Sequence, residues 1–245
     1  MKPPQSRENR IGQIASFMVI LLLILTNIRL LYVLSQVRDL LTSIDVRTQR
    51  LEMFLPQTQN SFSSHAGKMG DVDWKDAPIR GQIDAPIKIV VFSDFFCPYC
   101  ASAWDVLDRV LEEYEDRIMI AYMHFPIHGE ESIFAAEAAE CAREQGKFWE
   151  MHHLIFEHAP DLSKESYRTF TQQLYLESEQ FEKCLSEHRY RERILNDFQK
   201  GKQYGVLGTP TFFINGTMVQ GMRDIDWFQQ KIKTILHNQD TGDAD

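Results

Sequence analysis

Apolar positions along the first 55 residues follow two successive patterns. Residues 11–25 are apolar apart from Gly12, Gln13 and Ser16, and the run continues to Leu34 with Arg29 as its only charge. A bilayer core is crossed by roughly 20 apolar residues in a helix. Residues 11–31 are therefore expected to form a transmembrane anchor, with Arg29 snorkelling toward the headgroups. Lys2, Arg7 and Arg10 lie in the preceding segment, 1–10, and favour a cytoplasmic N-terminus with the body exported. The competing reading is a cleaved signal peptide, but Thr26-Asn27-Ile28-Arg29-Leu30 offers no small-x-small cleavage site. Beyond the anchor, Leu30, Leu34, Val37, Leu41, Ile44, Thr48, Leu51 and Leu55 alternate in steps of four and three. That is a heptad seam over a helical stalk at 32–55, and self-association through residues 30–55 would bury it. The alternatives are packing on the chain's own domain or lying on the membrane surface. Pro56 ends the stalk, and 56–71, rich in Ser, Gln, Asn and Gly, reads as a linker.

From residue 72 the pattern is that of an α/β domain. Ile87-Lys88-Ile89-Val90-Val91-Phe92 is β-branched and nearly all apolar, as a buried central strand requires. Residues 118–123 read as the next strand, parallel to it. Residues 211–214 and 217–220 read as a hairpin about Asn215-Gly216. Helical spacing runs over 101–114, through Ala103/Trp104, Leu107, Val110/Leu111 and Tyr114. Between about 130 and 204 the chain reads as helices ending at Arg143 and covering 148–158, 164–176, 179–187 and 189–203, punctuated by Gly146, Pro160 and Gly201. A last helix is expected over 225–237 and a disordered tail over 238–245.

Charge removes one class of function. Residues 1–55 hold seven Lys/Arg against four acids, a balance of +3, so a chain of net charge −9 carries −12 on the rest. Such a body repels phosphates, and there is no basic stripe with interleaved aromatics, so no nucleic-acid partner is expected.

The four cysteines are too few for a disulfide scaffold, but two have chemical spacing: Cys97-Pro98-Tyr99-Cys100 straddles the strand-to-helix junction. A helix start presents unpaired N–H groups and partial positive charge, which lower a thiol's pKa. Pro98 suits the first turn, where a missing N–H costs nothing. Cys97 is thus expected to be an exposed, low-pKa nucleophile, and Cys100, one turn in, the buried thiol that resolves a mixed disulfide. The other readings are half of a zinc site or a static disulfide. Zinc lacks a further ligand pair, since His152 and His153 are adjacent rather than helically spaced, so no metal is expected. Asp94, three residues before Cys97, is a candidate proton relay, or else bonds locally at the strand end. His124 and His128 read as structural.

Ala85-Pro86-Ile87 followed by Phe92-Ser93-Asp94-Phe95-Phe96-Cys97-Pro98-Tyr99-Cys100 resembles the first strand and active site of DsbA-like thiol–disulfide oxidoreductases. Gly205-Val206-Leu207-Gly208-Thr209-Pro210-Thr211-Phe212-Phe213-Ile214-Asn215-Gly216 is similar to that family's cis-proline loop. The resemblance covers 72–237. It implies a thioredoxin-like fold with a helical insertion at about 130–204 on one side of the active site, and a cis bond at Thr209-Pro210 lying against the active-site pair. The Thr209 backbone would then pair with an extended client strand. Cys141 and Cys184 fall in the insertion. In an oxidising compartment they pair most simply with each other, as in some DsbA-like proteins, the alternative being two buried free thiols.

The expected activity is protein thiol–disulfide exchange with no cofactor beyond the Cys97/Cys100 couple. The domain would sit on the periplasmic side of a bacterial inner membrane, acting on folding exported proteins. An oxidase would need a membrane partner to reoxidise it. An oligomeric isomerase or a reductase would be kept reduced, and a self-associating stalk suits the isomerase. A non-catalytic chaperone or envelope scaffold is the reading of another class, and the intact cysteine pair speaks against it.

Overall fold

The structure is a computed structural model and describes residues 72–241. The expected anchor, stalk and linker lie outside the described residues. Among the described residues no helix is long and apolar enough to cross a membrane.

β1 (Ile79–Gly81), β2 (Ile87–Ser93), β3 (Ile118–His124), β4 (Thr211–Ile214) and β5 (Thr217–Gln220) form one mixed sheet in the order β1-β3-β2-β4-β5. β2 and β3 run parallel in register from Ile87↔Ile118 to Ser93↔His124. Parallel neighbours need a crossover, and α1 (Pro98–Glu113) supplies it. Both strands are buried apart from Lys88, which explains their near-continuous apolar sequence. β4 and β5 pair about Asn215 and Gly216, whose φ values of 46° and 80° make the tight turn. The Asn215 side chain also accepts from the Lys88 N–H at 2.7 Å and donates to the Pro86 carbonyl at 3.1 Å, fastening the turn to the start of β2.

The remaining helices are α2 (Glu130–Arg143), α3 (Phe148–His158), α4 (Lys164–Gln173), α5 (Ser178–Ser186), α6 (Arg191–Gln203) and α7 (Ile225–Thr241). Alternate sheet residues serve different layers. Ile89, Val91, Ile120 and Tyr122 join one core with Trp104, Leu107 and Val110 of α1, Phe228 and Ile232 of α7, and the insertion helices. Phe92, from the opposite face, meets Phe125, Tyr204 and Phe213.

Charge and sulfur tie the insertion to the sheet. Glu140 of α2 is fully buried, and burial alone would push its carboxyl up. The hydrogen bond from His124 of β3, at 2.9 Å, and the Arg193 and Arg143 guanidinium groups outweigh that and hold it at about 2. A disulfide joins Cys141 of α2 to Cys184 of α5 across 5.9 Å between Cα atoms, with both residues buried.

Two expectations need correction. The supposed tail begins too early: α7 continues through Thr241, because Gln239 donates to the Pro86 carbonyl at 3.3 Å and the Thr241 hydroxyl bonds back to His237 at 3.0 Å. The sheet also begins before Ile87, with β1 antiparallel to β3. At its end Gly81 has φ 79°, and a Cβ there would sit 2.1 Å from the Ile118 carbonyl oxygen.

Two predictions follow from packing. In α6, a Cβ on Gly201 would come within 2.7 Å of the Phe125 ring and 3.0 Å of Phe92. Gly201→Ala is therefore expected to destabilise the domain by about 1–3 kcal/mol through overpacking, despite a helix-propensity gain of up to about 1 kcal/mol. A rise in the urea midpoint would refute this. Replacing Cys141 and Cys184 together by Ala should cost about 2–4 kcal/mol in the same assay, and an unchanged midpoint would refute that.

Candidate active site

The chain leaves β2 at Ser93 and enters α1 at Pro98, so four residues make the turn. Asp94 holds it in place. Its carboxylate is shut off from solvent and accepts from five donors: Phe96 N–H at 2.8 Å, Ser132 hydroxyl at 2.7 Å, Ile127 N–H at 2.6 Å, His128 N–H at 3.1 Å and His128 Nδ1 at 2.8 Å. One side chain thus joins the end of β2, the loop after β3 and the first turn of α2. Both oxygens are occupied, so Asp94 bonds locally at the strand end. His128 serves the same knot, and His124 is the partner of Glu140.

Phe95 turns inward and stacks on Tyr122 with ring centroids 5.5 Å apart. Cys97 caps α1 with extended backbone (φ −88°, ψ 115°), and Pro98 opens the helix. The Cys97 carbonyl accepts from the N–H groups of Cys100 at 2.9 Å and Ala101 at 3.3 Å.

Cys97 and Cys100 are free thiols. The expected exposed nucleophile is in fact only 5% exposed, because the loop before β4 closes over it: Cys97 Sγ lies 3.4 Å from the Thr209 carbonyl oxygen. That loop carries the Thr209-Pro210 peptide in the cis form. It is held by β4, which pairs Thr211 with Phe92 of β2, by the Thr211 hydroxyl on the Gly208 carbonyl at 2.7 Å, and by the Gly221 N–H on the Pro210 carbonyl at 2.8 Å. Tyr99, by contrast, is 66% exposed beside the sulfur, and Leu207 stands out from the loop.

Electrostatics separate the two sulfurs. The Cys100 thiol, donating to Cys97, is the largest influence lowering the Cys97 pKa to about 5. Burial opposes it, and the Thr209 side chain and the N–H groups of Cys100 and Tyr99 add to the lowering. The helix start thus contributes as anticipated, but the neighbouring thiol contributes more. The Thr209 hydroxyl is buried and has no partner of ordinary geometry, so an ionised Cys97 gives it an acceptor. Cys100, wholly buried, is pushed up, first by burial and then by its bond to Cys97. The Ser93 hydroxyl works against the rise. Sequence reading missed Ser93. Strand alternation places it on the same face as Val91, against α1, where its hydroxyl also accepts from Trp104 Nε1 at 3.4 Å. The arrangement can ionise one sulfur near neutral pH while keeping the other protonated beside it.

The sign of the pH dependence follows. A folded-state thiol pKa depressed to about 5, from about 9, favours the folded dithiol form increasingly as pH rises through that interval. That contribution is lost as pH falls through the folded value. Ultraviolet thiolate absorbance of the reduced protein should be half-developed near pH 5. Thr209→Val should move the midpoint upward. A midpoint in the ordinary thiol range would contradict the geometry.

Comparison with known proteins agrees with this architecture. A family profile described as thioredoxin matches residues 74–234. A Na(+)/H(+) antiporter NhaA 3 of Salinispora tropica is 35% identical over 150 residues, which cover 60% of this chain and 23% of the antiporter. The chain thus spans about a quarter of the length of that relative. A probable disulfide bond formation protein D of Bacillus anthracis is 31% identical over 154 residues, covering 56% of this chain and 69% of that protein. The crystal structure of oxidised BdbD from Bacillus subtilis shares the fold at a TM-score of 0.62 and 23% identity, covering 69% of this chain and 97% of that one. With a profile match over most of its length and a disulfide-formation relative covered by more than two thirds, the chain belongs to the thioredoxin family, among its DsbA-like thiol–disulfide oxidoreductases.

Proposed function

We propose that this protein donates disulfides to folding exported proteins through Cys97 and Cys100, with no cofactor beyond that couple. The observation that carries the reading is the stabilised Cys97 thiolate, with its pKa near 5. A reduced form stabilised in this way makes the disulfide form a stronger oxidant. In the forward reaction a client thiolate attacks Cys97 Sγ, the Cys97/Cys100 bond breaks, and Cys100 leaves as a thiolate that takes up a proton in its buried site. A second client thiolate then attacks the client sulfur of the mixed disulfide, and Cys97 departs as the stabilised thiolate. The client loses two electrons and two thiol protons, and the Cys97/Cys100 pair is reduced. A membrane redox partner restores the disulfide. The cis-proline loop supports the client role, since the Thr209 backbone lies beside the sulfur and can align an extended client strand.

The apolar run at 11–31 and the basic residues before it support single-pass anchoring in a bacterial inner membrane with the domain outside. The Cys141–Cys184 link suits an oxidising compartment.

Thiol trapping in cells tests the direction: a Cys97/Cys100 pair found mainly as disulfide supports the oxidase, and one found mainly as dithiol supports an isomerase or reductase. Cys97→Ser should reduce oxidation of a dithiol peptide at least about 100-fold, since the disulfide that the client thiolate attacks can no longer form and no Cys97 thiolate is there to leave. Undiminished activity in that variant would remove the proposal.

A further inference from the structure

Beside the active-site helix lies a second recessed surface that the exchange chemistry does not use. It is a groove of about 680 Å³ between α1 and α3, within the size range of ligand sites. Ala101, the first residue after the cysteine pair, is on its wall, so the groove starts one helical turn from Cys97. Its floor is aromatic. His152 lies 4.6 Å from the Trp104 ring, 5.2 Å from Trp149 and 4.8 Å from Phe156, centroid to centroid. Its rim is acidic: Asp105 of α1 and Glu157 of α3 are exposed and form no ion pair among the described residues.

A second observation points to a ligand. His152 is more than nine-tenths buried, and its Nε2 has no hydrogen-bond partner. An unpartnered buried polar atom is costly unless something supplies its partner. Burial also holds this imidazole well below its ordinary pKa, which favours the neutral ring, whose Nε2 accepts when the proton sits on Nδ1. The groove therefore offers an acceptor, aromatic faces and two free carboxylates, which together suit a cationic donor group. The chain already displays that mode at the groove's edge. The Arg80 guanidinium lies over the Trp149 ring, 5.5 Å from its centroid, and pairs with Asp108. Stacking on an aromatic face combined with a carboxylate fits a guanidinium better than an ammonium.

We propose that this groove is a client subsite that takes an arginine side chain flanking the reacting cysteine, with Asp105 and Glu157 as its selecting carboxylates. This rests on the exchange reading for the identity of the occupant, and the test separates the two. Two single-cysteine peptides, identical except for arginine or glutamine beside the cysteine, are reacted with the oxidised full chain. The rate of mixed-disulfide formation is divided by each peptide's rate with a small neutral disulfide, which removes the effect of arginine on thiol reactivity. The arginine peptide should be preferred about tenfold, and Asp105→Asn with Glu157→Gln should cut the preference about fivefold, the scale of two partly exposed ion pairs. The glutamine peptide's rate should stay unchanged. The remote exposed pair Glu115→Gln with Asp116→Asn should leave the preference intact. No preference in the native chain, a preference that survives the groove variant, or one lost equally in the remote variant would overturn the subsite.

The groove is also read without exchange chemistry. Tryptophan fluorescence of the Cys97→Ser full chain is followed as the arginine peptide is added with serine in place of its cysteine. Saturable binding that the groove variant weakens supports the site even if neither cysteine peptide reacts, in which case the exchange reading alone falls. Absence of binding together with absence of preference removes the site while leaving exchange with the glutamine peptide in place.

Discussion

A sulfur anion that is almost closed off from solvent persists only where protein donors replace the lost water, and the architecture around Cys97 is built to that constraint. The donors come from three places: the N-terminal N–H groups of α1, the thiol one turn further along, and the loop that precedes β4. None is useful unless the strand-to-helix turn is fixed. Asp94 fixes it by collecting donors from its own turn and from the segment after β3. The electrostatic asymmetry of the two cysteines is thus a consequence of where a fully buried carboxylate anchors the backbone. The same burial that raises Cys100 makes its proton available as a hydrogen bond to Cys97.

The insertion is fastened to this frame by interactions that are costly to break singly. Glu140 sits without solvent among His124, Arg193 and Arg143, contributed by β3, α6 and its own helix. Removing one partner from such a cluster leaves an uncompensated buried charge. The Trp149 indole adds a direct tie between α3 and the edge of the sheet by donating to the Ile79 carbonyl at 3.1 Å. The helices are therefore tied over the sheet face that carries Tyr122, on which Trp104 of α1 stacks.

Much of this was legible in the sequence, for identifiable reasons. The strands β2 and β3 announce themselves because both faces are covered, leaving unbroken apolar runs. The β4–β5 turn is written in Asn215-Gly216, and α1 in the spacing of Trp104, Leu107 and Leu111. Strand β1 was not legible, since three residues give no periodicity and their pairing is set by β3. The end of α7 was misread because its last turn is polar and held by Gln239 reaching Pro86, a contact more than 150 positions away. At the site, the helix-start argument found Cys97 but not its burial, which depends on a loop more than 100 residues downstream. Nor could spacing show that five donors converge on Asp94 or that His152 lacks a partner.

The Cys141–Cys184 link is sealed in the core, at 1% and 0% exposure, whereas Cys97 keeps a small opening, at 5%, next to the exposed Tyr99. One molecule thus holds two sulfur pairs of the same chemistry under different rules of access. A small reagent can reach Cys97 through that opening while the core pair stays out of reach, so reaction at one pair need not scramble the other. The insulation also dictates an order of manufacture. The sealed bond has to be made while α2 and α5 are still loosely apposed, before packing shuts out whatever oxidises it.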